Sequence, residues 1–436
     1  MLTLIGVLTL ATVILLLLFG RVSPVVALAS VPVAGALLAG FDLTQISEFF
    51  ESGLGRVMSV AAMFIFAITF FGVLQDTGLF RPLIDGLVRL TRGNPVYVAL
   101  GTALAGMLAH LDGAGATTFL LTVPALLPLY RRLGMNPYVM LLLLASGAGI
   151  LNMMPWAGPL GRAAAVTGLD VTELWHPLIP VQIAGAVILM GMAFLYGRRE
   201  QRRIASGRAY AYDADTAEPP AATDAEDPAR ALERPRLIWV NAAIFFATLV
   251  MLVSGVLPTP LTFMLALSVA LVVNYPDAGE QMRRIQAHAS AALTMAAIIL
   301  AAGVFLGVMD GTGMLRAIAQ ALVAVLPSQV VPVLHILLGI IGLPLELVLS
   351  TDAHYFGLLP IVAEIVGQHG VPPQQTVYAM MVANIVGTFI SPFSPALWLA
   401  LGLAGLDMGR HIRFALLPMW AYSLAIFAVA WMMGLF

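Results

Sequence analysis

The chain has 436 residues, 60% of them hydrophobic and only 10% charged, with a net charge of -2. Soluble domains carry roughly a quarter charged residues, so this composition excludes a soluble globular protein and defines an integral membrane protein. The absence of Cys excludes disulfides, thiolate haem ligation and Cys zinc sites, and nothing in the charge balance calls for a nucleic-acid partner.

A helix needs about 20 apolar residues, at about 1.5 Å each, to cross a hydrocarbon core of roughly 30 Å. Runs of that kind are predicted at about 2–19, 22–40, 57–75 and 177–196. The first starts at Met1 with neither a basic start nor a small-residue cleavage site, and reads as a retained helix rather than a signal peptide. Asp42, Glu48 and Glu51 fall between the second and third runs and are expected in a solvated external loop.

Two interrupted segments lie between the third and fourth runs. Residues 95–130 have Arg89 and Arg92 before them and Arg131 and Arg132 after them, so the chain returns to the side it left. Each arm of about 14 residues would extend about 21 Å, too short to span. This predicts a re-entrant helical hairpin with Asp112 near its tip, two short tilted spans being the other reading. Residues 137–170 read as a helix to Ile150, a break at Asn152-Met153-Met154-Pro155-Trp156-Ala157-Gly158-Pro159, and a second helix. Prolines remove backbone donors and, with a glycine, unwind the helix, which lipid tolerates only beside a cavity or protein. A plain proline kink is the blander alternative.

All 21 basic residues are Arg, and eight lie in 197–236, a stretch otherwise rich in Ala, Asp, Glu and Pro. It reads as a flexible cytoplasmic linker between two transmembrane units, 1–196 and 237–436. The second unit repeats the first. Phe70-Phe71-Gly72-Val73-Leu74 before Thr77-Gly78-Leu79 returns as Phe305-Leu306-Gly307-Val308-Met309 before Thr312-Gly313-Met314, and Asp112 returns as Asp352. Met154-Pro155-Trp156 returns as Ser391-Pro392-Phe393, at similar offsets of about 235 to 240 residues. A second hairpin is predicted at about 329–366 and a second broken helix at about 376–407. Counting spans from a cytoplasmic linker puts both termini outside and Arg21, Arg81, Arg89, Arg92, Arg131, Arg132, Arg283, Arg284, Arg410 and Arg413 inside, with Arg316 the exception. The predicted fold class is therefore an all-α integral membrane protein of two inverted-topology repeats, each with a re-entrant hairpin and a broken transmembrane helix. Such folds hold substrate near the midplane, between hairpin tips and helix breaks.

A charge at that depth costs roughly 3 kcal/mol on insertion scales and marks a substrate or ion path. Asp112 and Asp352 are the leading candidates. Around them Gly113 and Gly115 permit close backbone approach, and Thr117, Thr118, Asn152, Ser350, Thr351, Asn384, Thr388, Ser391 and Ser394 offer hydroxyl and amide groups, with Pro155 at the break. Glycine packing and hydroxyl bonds to the helix's own carbonyls are equally open for the first four. The candidate site carries almost no basic side chains, so an anion there would rest on uncapped helix N-termini. Two aspartates repel a bare tricarboxylate, but suit a substrate that carries a cation, or proton transfer. His110 and His354 are further proton candidates, and Asp112 and Asp352 are also candidate contacts to a hard cation. No resident cofactor is expected.

The stretch His110-Leu111-Asp112-Gly113-Ala114-Gly115-Ala116-Thr117-Thr118-Phe119, followed by Pro128-Leu129-Tyr130-Arg131-Arg132-Leu133-Gly134-Met135-Asn136-Pro137 and by Asn152-Met153-Met154-Pro155-Trp156, resembles the family of bacterial citrate-divalent metal:proton symporters, within the ion transporter superfamily. Asp352-Ala353-His354-Tyr355-Phe356-Gly357-Leu358-Leu359-Pro360 carries the same likeness. The resemblance implies import of citrate complexed with a divalent cation such as Mg²⁺ or Ca²⁺, together with protons, across the bacterial inner membrane. It also implies paired hairpins and an elevator-type homodimer in the lipid bilayer. Two positions depart from the pattern: Ala157 stands where Gly is usual, and His354 where an aromatic is usual. A proton- or sodium-coupled carrier of another organic acid or oxyanion is the competing reading within the class. An intramembrane aspartyl protease, whose paired carboxylates share a proton, is the competitor outside it.

Overall fold

The computed structural model describes residues 1–19, 22–79, 93–212 and 232–436, together with Pro82 and Gly86. Arg21, Arg81, Arg89, Arg92 and the middle of the linker lie outside the described residues. Every regular element among the described residues is helical. Six helices have the length and apolar composition to cross a membrane: Leu43–Asp76, Pro95–Asp112, Leu178–Ala205, Pro235–Ser254, Ala278–Gly311 and Met408–Met432.

The first half opens with α1 (Leu2–Phe19) and α2 (Pro24–Leu38), the latter started by Ser23, whose hydroxyl accepts from Val26 N. α3 (Leu43–Asp76) runs for 34 residues. It begins with a reciprocal cap: Asp42 accepts from Gln45 N at 2.9 Å while the Gln45 side chain accepts from Asp42 N at 3.1 Å. The external loop expected at Asp42, Glu48 and Glu51 is thus a cap and the polar first turns of a helix. Asp-x-x-Gln at 42–45 is a helix start that an apolar-run search passes over.

The first hairpin consists of α4 (Pro95–Ala109), a 3-10 turn at His110–Asp112 and α5 (Gly115–Leu133). Its arms have 15 and 19 residues rather than 14 each. Gly113 reverses the chain with φ of 73°, a left-handed conformation that suits glycine. α6 (Pro137–Leu151) is followed by an irregular break and α7 (Gly158–Thr167), then the short α8 (Val171–Trp175) and α9 (Leu178–Ala205).

α9 carries Arg198, Arg199, Arg202 and Arg203 as helix, so the chain is ordered well past the linker start expected at 197. The reason is a docked end: buried Glu200 accepts from Asn136 N at 2.7 Å and from Arg203, and Tyr212 donates to Met135 O at 2.6 Å.

The second half repeats this order. α10 (Ile238–Ser254), α11 (Thr259–Asn274) and α12 (Ala278–Gly311) lead to α13 (Met314–Val325). The second hairpin is built of α14 (Leu334–Ile340), α15 (Gly342–Leu345), a π-helical turn at Ala353–Leu358 and α16 (Leu359–Gly367). The second break separates α17 (Pro373–Val382) and a 3-10 turn at Ile385–Phe389 from α18 (Pro395–Ala404), and α19 (Met408–Met432) closes the chain.

α3 and α12, both 34 residues long, cross each other. A Cβ on Gly53 would strike the backbone of Gly303 and Gly307, so the two helices meet backbone to backbone. Arg56, early in α3, pairs with Asp310, late in α12, at 2.9 Å. Asp76, at the end of α3, pairs with His288, early in α12, at 2.9 Å. The two matching helices therefore run antiparallel.

Candidate functional site

Each hairpin tip is tied to the helix break of its own half. In the first half His110, wholly buried, donates from Nε2 to Asn152 Oδ1 at 2.9 Å, and its Nδ1 lies 2.8 Å from the Thr118 hydroxyl. Trp156 donates from Nε1 to Leu111 O at 2.8 Å. Gly113 sits so close to this break that a Cβ would lie 3.1 Å from Trp156 O. Asp112 turns back on its own hairpin: Oδ1 accepts from Ala114 N at 2.8 Å and Oδ2 from the Thr117 hydroxyl. That is an Asx turn leading into α5, whose own N-cap position, Ala114, has no side-chain cap. Asn152 Nδ2 is buried without a hydrogen-bond partner among the described residues, which leaves one donor available to a ligand.

The second half answers with different chemistry. Asn384 donates from Nδ2 to Glu346 Oε1 at 2.9 Å and to Gly342 O at 3.1 Å, and its Oδ1 accepts from Tyr355 at 3.2 Å. Ser391 donates to Glu346 O at 2.6 Å, and Thr351 to Glu346 Oε2 at 3.3 Å. Glu346 is wholly buried. An apolar run with one Glu, beside a Pro and close to Asp352, was a legible signal for it.

The two halves also meet each other. Arg162 on α7 donates from Nε to Asp352 Oδ1 at 2.7 Å, with the side chains 10% and 17% exposed. This corrects the expectation of a site almost without basic groups. Arg162 falls in the helix after the first break, where the same cost of intramembrane charge should have singled it out. Removing one partner of such a pair leaves a buried charge, at about 3–5 kcal/mol. Gly115 faces the other way across the halves: a Cβ there would lie 2.6 Å from a ring carbon of Phe389 and 2.9 Å from Ala396. Phe389 stands edge-on to both His110 and Phe119, with centroids 5.4 Å apart.

The contacts of the remaining predicted residues lie within their own elements. Thr388 donates to Ile385 O in its own turn, Ser394 caps α18 by accepting from Leu397 N, and Ser350 accepts from Ala353 N. Pro155 is buried within the first break. His354 is buried edge-on to Tyr355, centroids 5.0 Å apart. Ala157 has φ of -80° and ψ of 138°, ordinary extended backbone, so the break places no demand for glycine there.

Among the described residues no three His, Asp or Glu side chains gather to hold a metal ion. Asp112 and Asp352 engage separate partners, Thr117 and Ala114 for one and Arg162 for the other. They do not form the mutually bonded dyad that an aspartyl protease requires.

The sequence matches the family model described as citrate transporter (CitMHS) over residues 1–383. The chain belongs to the citrate transporter family. Among curated proteins this family member is 37% identical over 426 residues to a "Citrate transporter" of Bacillus subtilis (strain 168), covering 98% of this chain and 97% of the relative. It is 34% identical over 420 residues to a "Mg(2+)/citrate complex secondary transporter" of the same organism, covering 95% and 94%. Its fold is similar to that of the YdaH transporter of Alcanivorax borkumensis, whose crystal structure reveals an unusual topology, with a TM-score of 0.61 and 16% identity over 99% of this chain and 97% of the other. The citrate transporter family member is thus a multi-pass membrane transporter and not an enzyme.

Proposed function

We propose that this protein imports citrate complexed with a divalent cation, such as Mg²⁺ or Ca²⁺, in symport with protons across the bacterial inner membrane. The observation that carries the reading is the buried polar cluster of Arg162, Asp352, Glu346 and Asn384, where the break helix of one half meets the hairpin of the other. Citrate alone brings three negative charges to a site that already holds two carboxylates. A bound divalent cation reduces the cargo to a single negative charge, which lowers the repulsion that a low dielectric would magnify. The name of the 34%-identical relative, a Mg²⁺/citrate complex transporter, supports the same cargo.

Asp112, Asp352 and Glu346 are the groups available to meet the cation or carry the proton, with Asn152 Nδ2 and the start of α7 on the carboxylates. Movement would be by alternating access of two inverted repeats about the antiparallel α3–α12 crossing, in a homodimer of the elevator type. Both termini then face outward and the linker inward, as the Arg distribution favours.

The test is uptake of labelled citrate into proteoliposomes under an imposed proton gradient, with Mg²⁺, Ca²⁺, Zn²⁺ or a chelator. Uptake that needs a divalent ion and stops with a protonophore supports the reading. Uptake indifferent to the chelator means free citrate is the cargo. Uptake of another carboxylate in preference to every form of citrate replaces citrate altogether.

A further inference from the structure

Neither member of the pair between Arg162 and Asp352 is fully used. Among the described residues the Arg162 guanidinium donates only through Nε, so its two terminal amino groups make no hydrogen bond, although the residue is 8% exposed. Asp352 accepts only at Oδ1, and its Oδ2 is likewise without a partner among the described residues. A buried guanidinium normally fills its five donors, because each unmet donor keeps its desolvation cost.

The local backbone leaves room for what is missing. Gly158 opens α7, and a Cβ there would strike Arg162 Nη1, so the guanidinium lies over the first turn of its own helix. The side-chain cap of that turn is absent: Ala157 offers no oxygen to the free N–H groups. An anion at this point meets a planar fork of donors and the positive end of a ten-residue helix together.

We infer that Arg162 is the residue that anchors a carboxylate of the cargo, through the two terminal amino groups that Asp352 leaves free. This rests on the proposed transport of metal-bound citrate. On binding, a cargo carboxylate takes the terminal amino groups of Arg162, and Asp352 turns its unpaired Oδ2 toward the cation. The pair thereby reads the two ends of a metal carboxylate, anion on Arg162 and cation on Asp352. Because Arg162 belongs to the first half and Asp352 to the second, the cargo bridges the two halves beside their direct contact. Lysine could supply the charge but not the fork, so the site favours a planar carboxylate held by two parallel bonds.

Binding of Mg²⁺-citrate to the detergent-solubilised full chain, followed by calorimetry, tests this with Arg162→Gln, Arg162→Lys and the exchange Arg162→Asp with Asp352→Arg. Arg162→Gln should weaken binding at least about tenfold and Arg162→Lys should weaken it less, as the loss of charge-assisted bonds implies. The exchanged pair re-forms the ion pair in reverse, so it should melt close to the wild type yet still bind weakly. Wild-type affinity in Arg162→Gln overturns the anchor, as does recovery of binding in the exchanged pair, since a purely structural bridge would be rescued. If Arg162→Gln does not fold, Arg162→Lys and the exchanged pair decide the matter by the same criterion. A wild type that binds no form of citrate overturns the cargo assignment itself, and the anchor with it.

Discussion

His110 Nε2 lies 2.9 Å from Asn152 Oδ1, and this one bond fastens the tip of the first hairpin to the first helix break. Its other ring nitrogen is held by Thr118 at 2.8 Å, so the imidazole bridges two elements with both nitrogens engaged by neutral groups. That arrangement predicts a structural histidine. Replacing His110 with Phe should leave the Asn152 oxygen unmet, at about 1–3 kcal/mol, while the Thr118 hydroxyl keeps Ala114 O at 2.9 Å, and the loss should be visible as a lower melting temperature in detergent. In His110→Gln protein that still transports, the pH profile of uptake should keep its shape; a displaced pH dependence would instead make His110 a proton carrier.

Gly115 is predicted to be required by contact rather than by cargo. A methyl group there meets the Phe389 ring and Ala396, and such overfilling typically costs about 1–3 kcal/mol. Gly115→Ala should reduce thermal stability and uptake together. Adding Phe389→Leu should restore part of both, because the collision is with that ring; a double variant no better than the single one would point to a cargo contact at Gly115.

Asp112 combines two hydrogen bonds within its own turn with a charge, and the two can be separated. Asp112→Ala should cost about 0.5–1.5 kcal/mol for each of the two hydrogen bonds lost. Thr117→Val removes one of the same bonds while leaving the carboxylate, and should retain uptake. Asp112→Asn keeps an acceptor for Ala114 N but no charge, and should fold yet fail to transport under a proton gradient. Normal proton-driven uptake by Asp112→Asn would reduce Asp112 to its hydrogen bonds within the turn.

The crossing of α3 and α12 should tolerate loss of charge far better than gain of volume. The Arg56 and Asp310 side chains are 45% and 48% exposed, so Arg56→Ala should cost about 0–1 kcal/mol. Gly307→Leu drives a side chain into the backbone of Phe49 and Gly53 and should prevent the protein from being recovered folded. Detergent melting curves of the two variants provide the comparison.

What the residues determined alone is local. Run length and composition made the chain a helical membrane protein, two Pro-rich interruptions marked the breaks, and Asp112 and Asp352 stood out because charge is rare in such runs. These signals need only neighbours a few residues away. The Asp42–Gln45 cap was equally local but was hidden, because a search for apolar runs passes over the polar turns that begin α3.

Tertiary structure decided the partners. Arg162 meets Asp352 across 190 residues of chain, Gly115 meets Phe389, and Gly53 meets Gly303, each from opposite halves. Such pairings depend on how two helices cross, not on the residues beside them. Glu346 owes its role to Asn384, which donates to its carboxylate, and to Ser391, which donates to its backbone carbonyl, where the sequence shows only one acid in an apolar stretch. Burial makes these contacts matter: a charge or donor removed from water must find its partner inside the fold, and only the fold determines which residue that is.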